Sequence, residues 1–206
     1  MKSFFSLFAV FLSLSQVNAI QPRKVENRGD EAQTTYCDDP YYAIPLYRGY
    51  SGSGTDHFYT TNGAEMENAV SKLGYAYEGE PGYVFGSYSS YTDTIPLYRV
   101  YSGSAVDHFY TTSASERDNA VEHLGYSDEG IAAYVYGSDI CGAIPLYRTY
   151  SPGATDHFYT TSESERNNAV AHLGYNDEGI AAYVLPVPSD NVRSLPVLHA
   201  LPIADT

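Results

Sequence analysis

The hydrophobic and polar positions of the chain repeat three times between residues 44 and 188. The copies open with "IPLYRGYSGSGTDHFYTT", "IPLYRVYSGSAVDHFYTT" and "IPLYRTYSPGATDHFYTT". In each, two short Tyr-rich stretches with alternating character flank a small Gly/Ser linker, which is typical of a β-hairpin. The first prolines of the copies are 51 and then 49 residues apart. We therefore expect one supersecondary unit per copy, at about residues 44–94, 95–143 and 144–188.

A helix signal follows each hairpin. Ser113 and Glu116 have the spacing of a capping box, in which the two side chains satisfy free backbone N–H groups at a helix start. About nine helical residues then lead to Gly125, and a glycine in this place favours a left-handed helix end. The other copies have glycines at the same place, Gly74 and Gly174.

The helix of the second copy carries Ala120, Val121 and Leu124 on one face, so it is expected to pack on the sheet. The residues after the glycine predict one or two further short strands. Each copy is then a β-β-α-β-β unit, and the protein is mainly β with short helices, in the α+β class. Three units could close around a pseudo-threefold axis as a propeller-like ring. A β-trefoil-like fold is the alternative, although a capped helix in every copy argues against it.

The two ends of the chain differ from the copies. Residues 1–19 read as a secretory signal peptide, with one Lys, an apolar run and small residues at the cleavage position. That run is too short to span a bilayer. Residues 20–43 form a polar N-terminal segment, residues 44–188 the three-repeat domain, and residues 189–206 a Pro-rich tail expected to be disordered. The mature protein is expected to be secreted and extracellular.

Charge narrows the classes of partner. The net charge of −14 becomes −15 when Lys2 leaves with the signal peptide. A chain this acidic is not expected to bind nucleic acid or an anionic membrane surface. Neutral sugars, cations and basic partners remain open.

The two cysteines, Cys37 and Cys141, are expected to form a disulfide in an oxidising compartment. They lie just before the first and third copies, which would be neighbours in a closed ring. The bond would then close the ring and contribute about 4 to 5 kcal/mol by the chain-entropy model.

The recurring "DHFYTT" is the first candidate site. Alternation along a strand places its Asp and its His on opposite faces, which weakens a catalytic His-Asp pair within one copy. The histidines could brace their own copies, join near the axis as three zinc ligands, or contact a ligand with the neighbouring Asp and Tyr. The candidate ligand-binding residues are Asp56, His57, Tyr59, Asp107, His108, Tyr110, Asp156, His157 and Tyr159.

A second recurring set pairs arginine with glutamate among apolar neighbours. An arginine there needs a carboxylate or carbonyl partner, so internal ion pairs are the favoured interpretation. The alternative is a fork that grips a carboxylated sugar or a peptide terminus. The residues assigned this structural role are Arg48, Glu78, Arg99, Glu129, Arg148 and Glu178.

The string "PLYR-x-Y…DHFYTT…LGY…EG…AYV" resembles a tandem repeat of unknown function that occurs on secreted bacterial cell-wall hydrolases and peptidases and in small secreted fungal proteins. The resemblance covers about 145 residues. Its placement beside hydrolases implies an attachment module for a wall or glycan surface, and the family brings no established binding residues.

The sequence favours a non-catalytic, lectin-like module with up to three equivalent pockets for a cell-wall or surface glycan. Exposed aromatic rings can stack on sugars while acids and hydroxyls bind the sugar oxygens. An enzyme would need a unique nucleophile or carboxylate pair, and no cofactor or metal is expected. A secreted hydrolase of wall polymers and a structural or effector-type module with a protein partner remain the alternatives.

Overall fold

The protein is described by a computed structural model over residues 23–25, 35–90 and 92–189. The signal peptide expected at residues 1–19 and the tail from residue 190 lie outside the described residues. Within the described ranges, no helix is long and apolar enough to cross a membrane.

The architecture is mainly β with three helices, as expected for the fold class. A single 3₁₀ turn, Pro40–Tyr42, precedes the first copy. The elements are β1 (Arg23–Val25), β2 (Thr35–Cys37), β3 (Ile44–Ser51), β4 (Asp56–Thr60), α1 (Gly63–Lys72), β5 (Ala76–Val84), β6 (Thr94–Ser102), β7 (Asp107–Thr111), α2 (Ala114–His123), β8 (Ser127–Tyr136), β9 (Ile144–Ser151), β10 (Asp156–Thr160), α3 (Glu163–His172) and β11 (Asn176–Val184).

Each copy forms the same three-stranded antiparallel unit. The first hairpin strand is central, with the second hairpin strand on one side and the strand after the helix on the other. The unit is β-β-α-β, one strand shorter than expected. In the second copy the "EG" lies at a bulge inside β8, where Gly130 has φ +86°. A bulge keeps one continuous strand where a turn would have made two.

The last strands of the three copies meet one another. Tyr183 of β11 pairs with Tyr136 of β8, which joins the second and third copies into one curled six-stranded sheet. The first copy is attached through two bridges, Tyr83 with Leu185 and Phe85 with Tyr134. Every copy therefore contacts both of the others.

The helices begin and end where the sequence predicts. Ser113 Oγ accepts a hydrogen bond from Glu116 N at 3.2 Å, which is one half of the capping box. The Glu116 side chain turns elsewhere, so the reciprocal bond is absent from this helix. Gly125 follows the helix with φ +78°. Of the expected packing face, Ala120 is buried.

Two residues of that expected packing face are not buried. Val121 and Leu124 are 37% and 61% exposed. Ala120 is the one buried residue of this helix, so the expectation for these two side chains was wrong.

The disulfide is confirmed. Cys37 and Cys141 are bonded with their Cα atoms 5.6 Å apart, across 104 positions of sequence. The bond ties β2 to the loop before the third copy.

Candidate functional site

The three hexapeptides lie against one another. They form β4, β7 and β10, which contact one another. Their aspartates Asp56, Asp107 and Asp156 have no exposed surface, and their carboxylates approach within 4.8 Å of one another. We call these three residues the buried carboxylate cluster.

Each histidine binds the aspartate of the preceding copy. His108 donates its backbone N–H to Asp56 Oδ1 at 2.8 Å, and its Nδ1 lies 2.7 Å from Asp56 Oδ2. His57 and His157 make the same two contacts with Asp156 and Asp107. The expectation that each histidine is braced within its own copy is therefore corrected: the pairs link the third copy to the first, the first to the second, and the second to the third.

A tyrosine from the helix end completes each carboxylate. The Tyr75 hydroxyl donates to Asp56 Oδ2. Burial and this hydrogen bond to an anion raise the pKa of Tyr75 far above its ordinary value, so the phenol stays protonated and keeps donating. The same contact and pKa direction are found for Tyr126 with Asp107 and for Tyr175 with Asp156.

The tyrosines of the hexapeptides form a closed ring of hydrogen bonds. Tyr110 Oη donates to the carbonyl of Tyr59 at 2.6 Å and accepts from Tyr59 N at 2.8 Å. Tyr159 holds the backbone of Tyr110 in this way, and Tyr59 that of Tyr159. All three are 1% exposed. Each phenol thus satisfies backbone groups on the open edge of a neighbouring edge strand.

This geometry corrects the ligand-contact role expected for the aspartates and these tyrosines. They have no surface to offer a ligand, and their polar atoms are bonded within the protein. The histidine side chains keep 12% exposure, so their ligand role stays a prediction. Each imidazole lies between two rings; for His108 these are Tyr101 at 4.4 Å and Phe58 at 4.9 Å.

Arginines hold the outer rim of the same junctions. Arg99 Nη1 and Nη2 donate to Glu65 of the preceding copy at 3.2 and 3.0 Å. Its Nε lies 2.8 Å from Glu129 Oε2 of its own copy, an ion pair without a well-directed hydrogen bond. Phe58 lies 5.4 Å from the guanidinium. Arg48 has Glu165 and Glu78 as its partners, and Arg148 has Glu116 and Glu178.

A fork for acidic ligands has little support in this arrangement. The Nη atoms that would grip a ligand carboxylate already hold a helix glutamate of the neighbouring copy. These helix glutamates, Glu65, Glu116 and Glu165, are partners that sequence reasoning missed. In the sequence these glutamates stand at the capping-box position, and that role gave no reason to look for an arginine partner.

The arginines lower the pKa of these helix glutamates. The hydrogen bond from Arg148 is the largest influence on Glu116 and lowers its pKa, although burial opposes it. Glu165 responds in the same way to Arg48. For Glu65 burial is the largest influence and favours the neutral form, but the hydrogen bonds to its neighbours outweigh it and the pKa is again lowered.

The buried carboxylate cluster is the one set of three candidate metal-ligating side chains found in the described part of the chain. Its oxygens already accept from histidine and tyrosine, so a cation would have to displace those donors. The histidines form no such set there, which leaves the alternative of three zinc-binding imidazoles without structural support. Nε2 of His57 lies 3.9 Å from Glu78 instead.

The chain matches a known protein family. The sequence model described as "Domain of unknown function (DUF5648)" matches residues 45–185. The chain belongs to the DUF5648 family. No curated protein and no solved structure matches the chain.

The described residues of the DUF5648 domain include an open groove that was not predicted from the sequence. It lies in the first copy, between α1 and the sheet, and encloses about 400 Å³. Its walls include the rings of Tyr47 and Tyr77, whose centroids are 6.3 Å apart with planes inclined by 55°. The rest of its lining is Gly63, Met66, Glu67, Val70 and Ser71.

A signal for this groove exists in the sequence of the DUF5648 domain. The position of Met66 is Arg117 and Arg166 in the other copies, and the position of Tyr77 is Asp128 and Asp177. These positions differ between the copies, so a pattern built from the residues that all three copies share does not include them.

Proposed function

We propose that this DUF5648 protein is a secreted, non-catalytic module that binds a cell-wall or surface glycan. In this proposal the three copies close as a propeller-like ring around a common axis. The ring is the scaffold, and the ligand binds on its surface rather than at the hexapeptides.

The cyclic order of the polar contacts supports the ring. Each aspartate holds the histidine of the next copy, and the third copy holds the first in the same geometry as the first holds the second. The tyrosine hydrogen bonds follow a cycle too. Equal contacts that return to their starting point are those of a closed ring.

The saturation of the recurring polar groups supports a non-catalytic role. A general base or nucleophile needs an atom directed at the substrate. At the junctions the carboxylates, the phenols and the Nδ1 atoms are bonded to protein atoms, and the arginines are paired with glutamates. This is the chemistry of bracing.

The groove of the first copy is the observation that carries the glycan proposal. Two tyrosine rings inclined to each other, with Tyr77 half exposed, offer flat apolar faces for sugar C–H groups. Glu67 in its lining can accept hydrogen bonds from sugar hydroxyls, and Ser71 can accept or donate them. A volume of about 400 Å³ falls within the roughly 300 to 1,000 Å³ of ligand pockets. The resemblance to repeats beside wall hydrolases agrees with this role.

A pull-down with insoluble wall polysaccharides and a glycan array, with and without EDTA, tests the proposal on the mature chain from residue 20. Selective retention that EDTA leaves unchanged is expected. Retention lost in EDTA would instead favour a metal-dependent site, and release of soluble sugar from the polymer would favour a hydrolase. A folded protein that no glycan retains would refute the proposal.

Binding to a protein is the second candidate, because the helices carry repeated apolar surface. Val70, Val121 and Val170 are 37% to 40% exposed, and the leucine three positions later in each copy is 60% or 61% exposed. Exposed apolar patches of this kind can mark interaction surfaces. Replacing the three leucines by Glu would abolish binding to a protein partner while leaving glycan retention unchanged.

A further inference from the structure

The second copy shows what normally covers the tyrosine at the groove position. The guanidinium of Arg117 lies 4.4 Å from the ring centre of Tyr98, and it donates to the carboxylate of Asp118 at 2.8 Å. A cation is thus held between an aromatic face and an acid. The third copy repeats the ring contact, with Arg166 at 4.8 Å from Tyr147.

The first copy keeps this receptor and lacks the cation. Tyr47 stands where Tyr98 stands, and Glu67 replaces Asp118, so the aromatic face and the acid are both retained. Met66 takes the place of the arginine. The groove therefore carries the two recognition elements of a cation site without the internal side chain that fills it in the second copy.

Core packing explains why the methionine does not fill the groove. Met66 is 4% exposed and points inward, into the space above Gly49. A Cβ atom at Gly49 would lie 3.1 Å from Met66 Sδ. In the second copy that space is occupied by Val100, which is fully buried, and the arginine lies outside. The Gly49 and Met66 changes compensate each other, and together they leave Tyr47 lining an open groove.

A third change adds a second wall. Tyr77 occupies the position of Asp177, which in the third copy binds Arg166 at 2.6 Å. The first copy has thus exchanged an internal arginine and acid for a methionine and an aromatic ring. Two aromatic faces beside a carboxylate form a recognised environment for an organic cation.

We propose that the groove of the first copy binds the protonated amino group of an amino sugar, with Tyr47 and Tyr77 against the sugar and Glu67 beside the ammonium. This inference deepens the proposed glycan function and rests on it. The ligand class follows from the cation that the second copy holds in the same place, from the negative charge of −14 on the chain, and from a volume larger than one guanidinium requires.

The test compares two soluble oligosaccharides of equal length, one of glucosamine and one of N-acetylglucosamine, by calorimetry with the mature chain. Acetylation removes the charge and leaves the sugar ring. We expect one site per chain for the glucosamine oligomer and binding about five-fold or more weaker for the acetylated one, the range of a cation–π contact that is partly desolvated.

The decisive variant refills the groove with the residues of the second copy, G49V/M66R/Y77D. It adds one positive and one negative charge, so the net charge is unchanged. A loss of binding therefore cannot come from weaker long-range attraction. We expect at least about a five-fold loss of affinity. Thermal unfolding checks that it folds, and the single exposed change Tyr77→Ala serves as a second variant that the core does not resist.

The matched variant V100G/R117M/D128Y gives the second copy the residues of the first and so should open a second groove. Its net charge also equals that of the wild-type chain. It should raise the stoichiometry from one site to two. An unchanged stoichiometry in a folded variant would count against the receptor interpretation.

The failures are distinguishable. If the wild-type chain retains glycans and the refilled variant binds them equally, the groove is not the binding site, while the glycan function stands. Equal affinity for both oligomers, abolished by refilling, would overturn the cation and keep the groove. Preference for an arginine-rich peptide over the glucosamine oligomer would overturn the amino sugar as occupant. No binding of any glycan by the wild-type chain would sink both proposals.

Discussion

Removing one hydroxyl from the central tyrosine ring should cost far more stability than an ordinary Tyr→Phe change. In Tyr110→Phe the aromatic side chain stays and only its hydroxyl oxygen is lost. That oxygen is the partner of both the N–H and the C=O of Tyr59, at 2.8 and 2.6 Å, in a region that is 1% exposed. Both backbone groups lie on the open edge of β4 and would be left unpaired.

The magnitude follows from those two groups. A buried polar group without a partner costs about 1 to 3 kcal/mol, so Tyr110→Phe should lower the free energy of unfolding by about 2 to 6 kcal/mol. Domains are stable by only about 5 to 15 kcal/mol. Urea unfolding followed by circular dichroism measures the difference, with the disulfide kept oxidised and the slope m compared between variants.

The control is Tyr150→Phe. Its ring stacks on His157 with centroids 4.6 Å apart, and in the described part of the chain its hydroxyl has no hydrogen-bond partner, so a change below about 0.5 kcal/mol is expected. The reasoning would be refuted if Tyr110→Phe and the equivalent changes at Tyr59 and Tyr159 each cost less than about 1 kcal/mol. The ring hydroxyls would then be exchangeable with water.

Three further predictions concern stability. Glu116 and Glu165 have a folded-state pKa below their ordinary value of about 4.5. Their contribution to the free energy of unfolding is therefore complete above that pH and is lost as the pH falls through the folded pKa. The urea midpoint should drop on acidification below about pH 4.5, and a midpoint that rises would contradict this. Replacing Cys37 and Cys141 by Ser should cost up to about 4 to 5 kcal/mol, measured by urea unfolding against the oxidised parent. Asp107→Ala leaves the backbone N–H and Nδ1 of His157 without their acceptor and should cost about 2 to 6 kcal/mol, at about 1 to 3 kcal/mol for each unpaired group, whereas a folded variant of unchanged midpoint would show that the cluster is dispensable.

Local signals predicted the local structure well. The hairpin of the second copy, its helix start at Ser113 and its end before Gly125 all depend on neighbours a few residues away, and all are found. The disulfide was predictable because the chain has two cysteines and one pairing. The sequence left the number of strands after the helix at one or two, because a glycine such as Gly130 allows either a turn or a bulge, and the structure has one.

The partners of the repeated polar residues could not be predicted in the same way. When three copies carry the same Asp and His, sequence cannot say whether His108 binds the aspartate of its own copy or Asp56, 52 positions earlier. Alternation correctly placed the Asp and the His of one copy on opposite faces, since each His binds the Asp of another copy. It could not show that residues of both faces of β4, such as Phe58 and Tyr59, are buried, because β4 contacts β7 and β10 of the neighbouring copies.

The groove could not be predicted because its residues differ between the copies, whereas the junction residues are the same in all three. This difference indicates which positions are free to bind a ligand. Each hexapeptide serves two junctions: the aspartate of one copy binds the next histidine, and its own histidine binds the previous aspartate. A change in one copy damages contacts with both neighbours, so recurrence of these residues is explained by stability alone. Positions outside the junctions carry no such constraint. The coordinated differences at Gly49, Met66 and Tyr77 are therefore a better guide to ligand binding than the threefold identity of "DHFYTT".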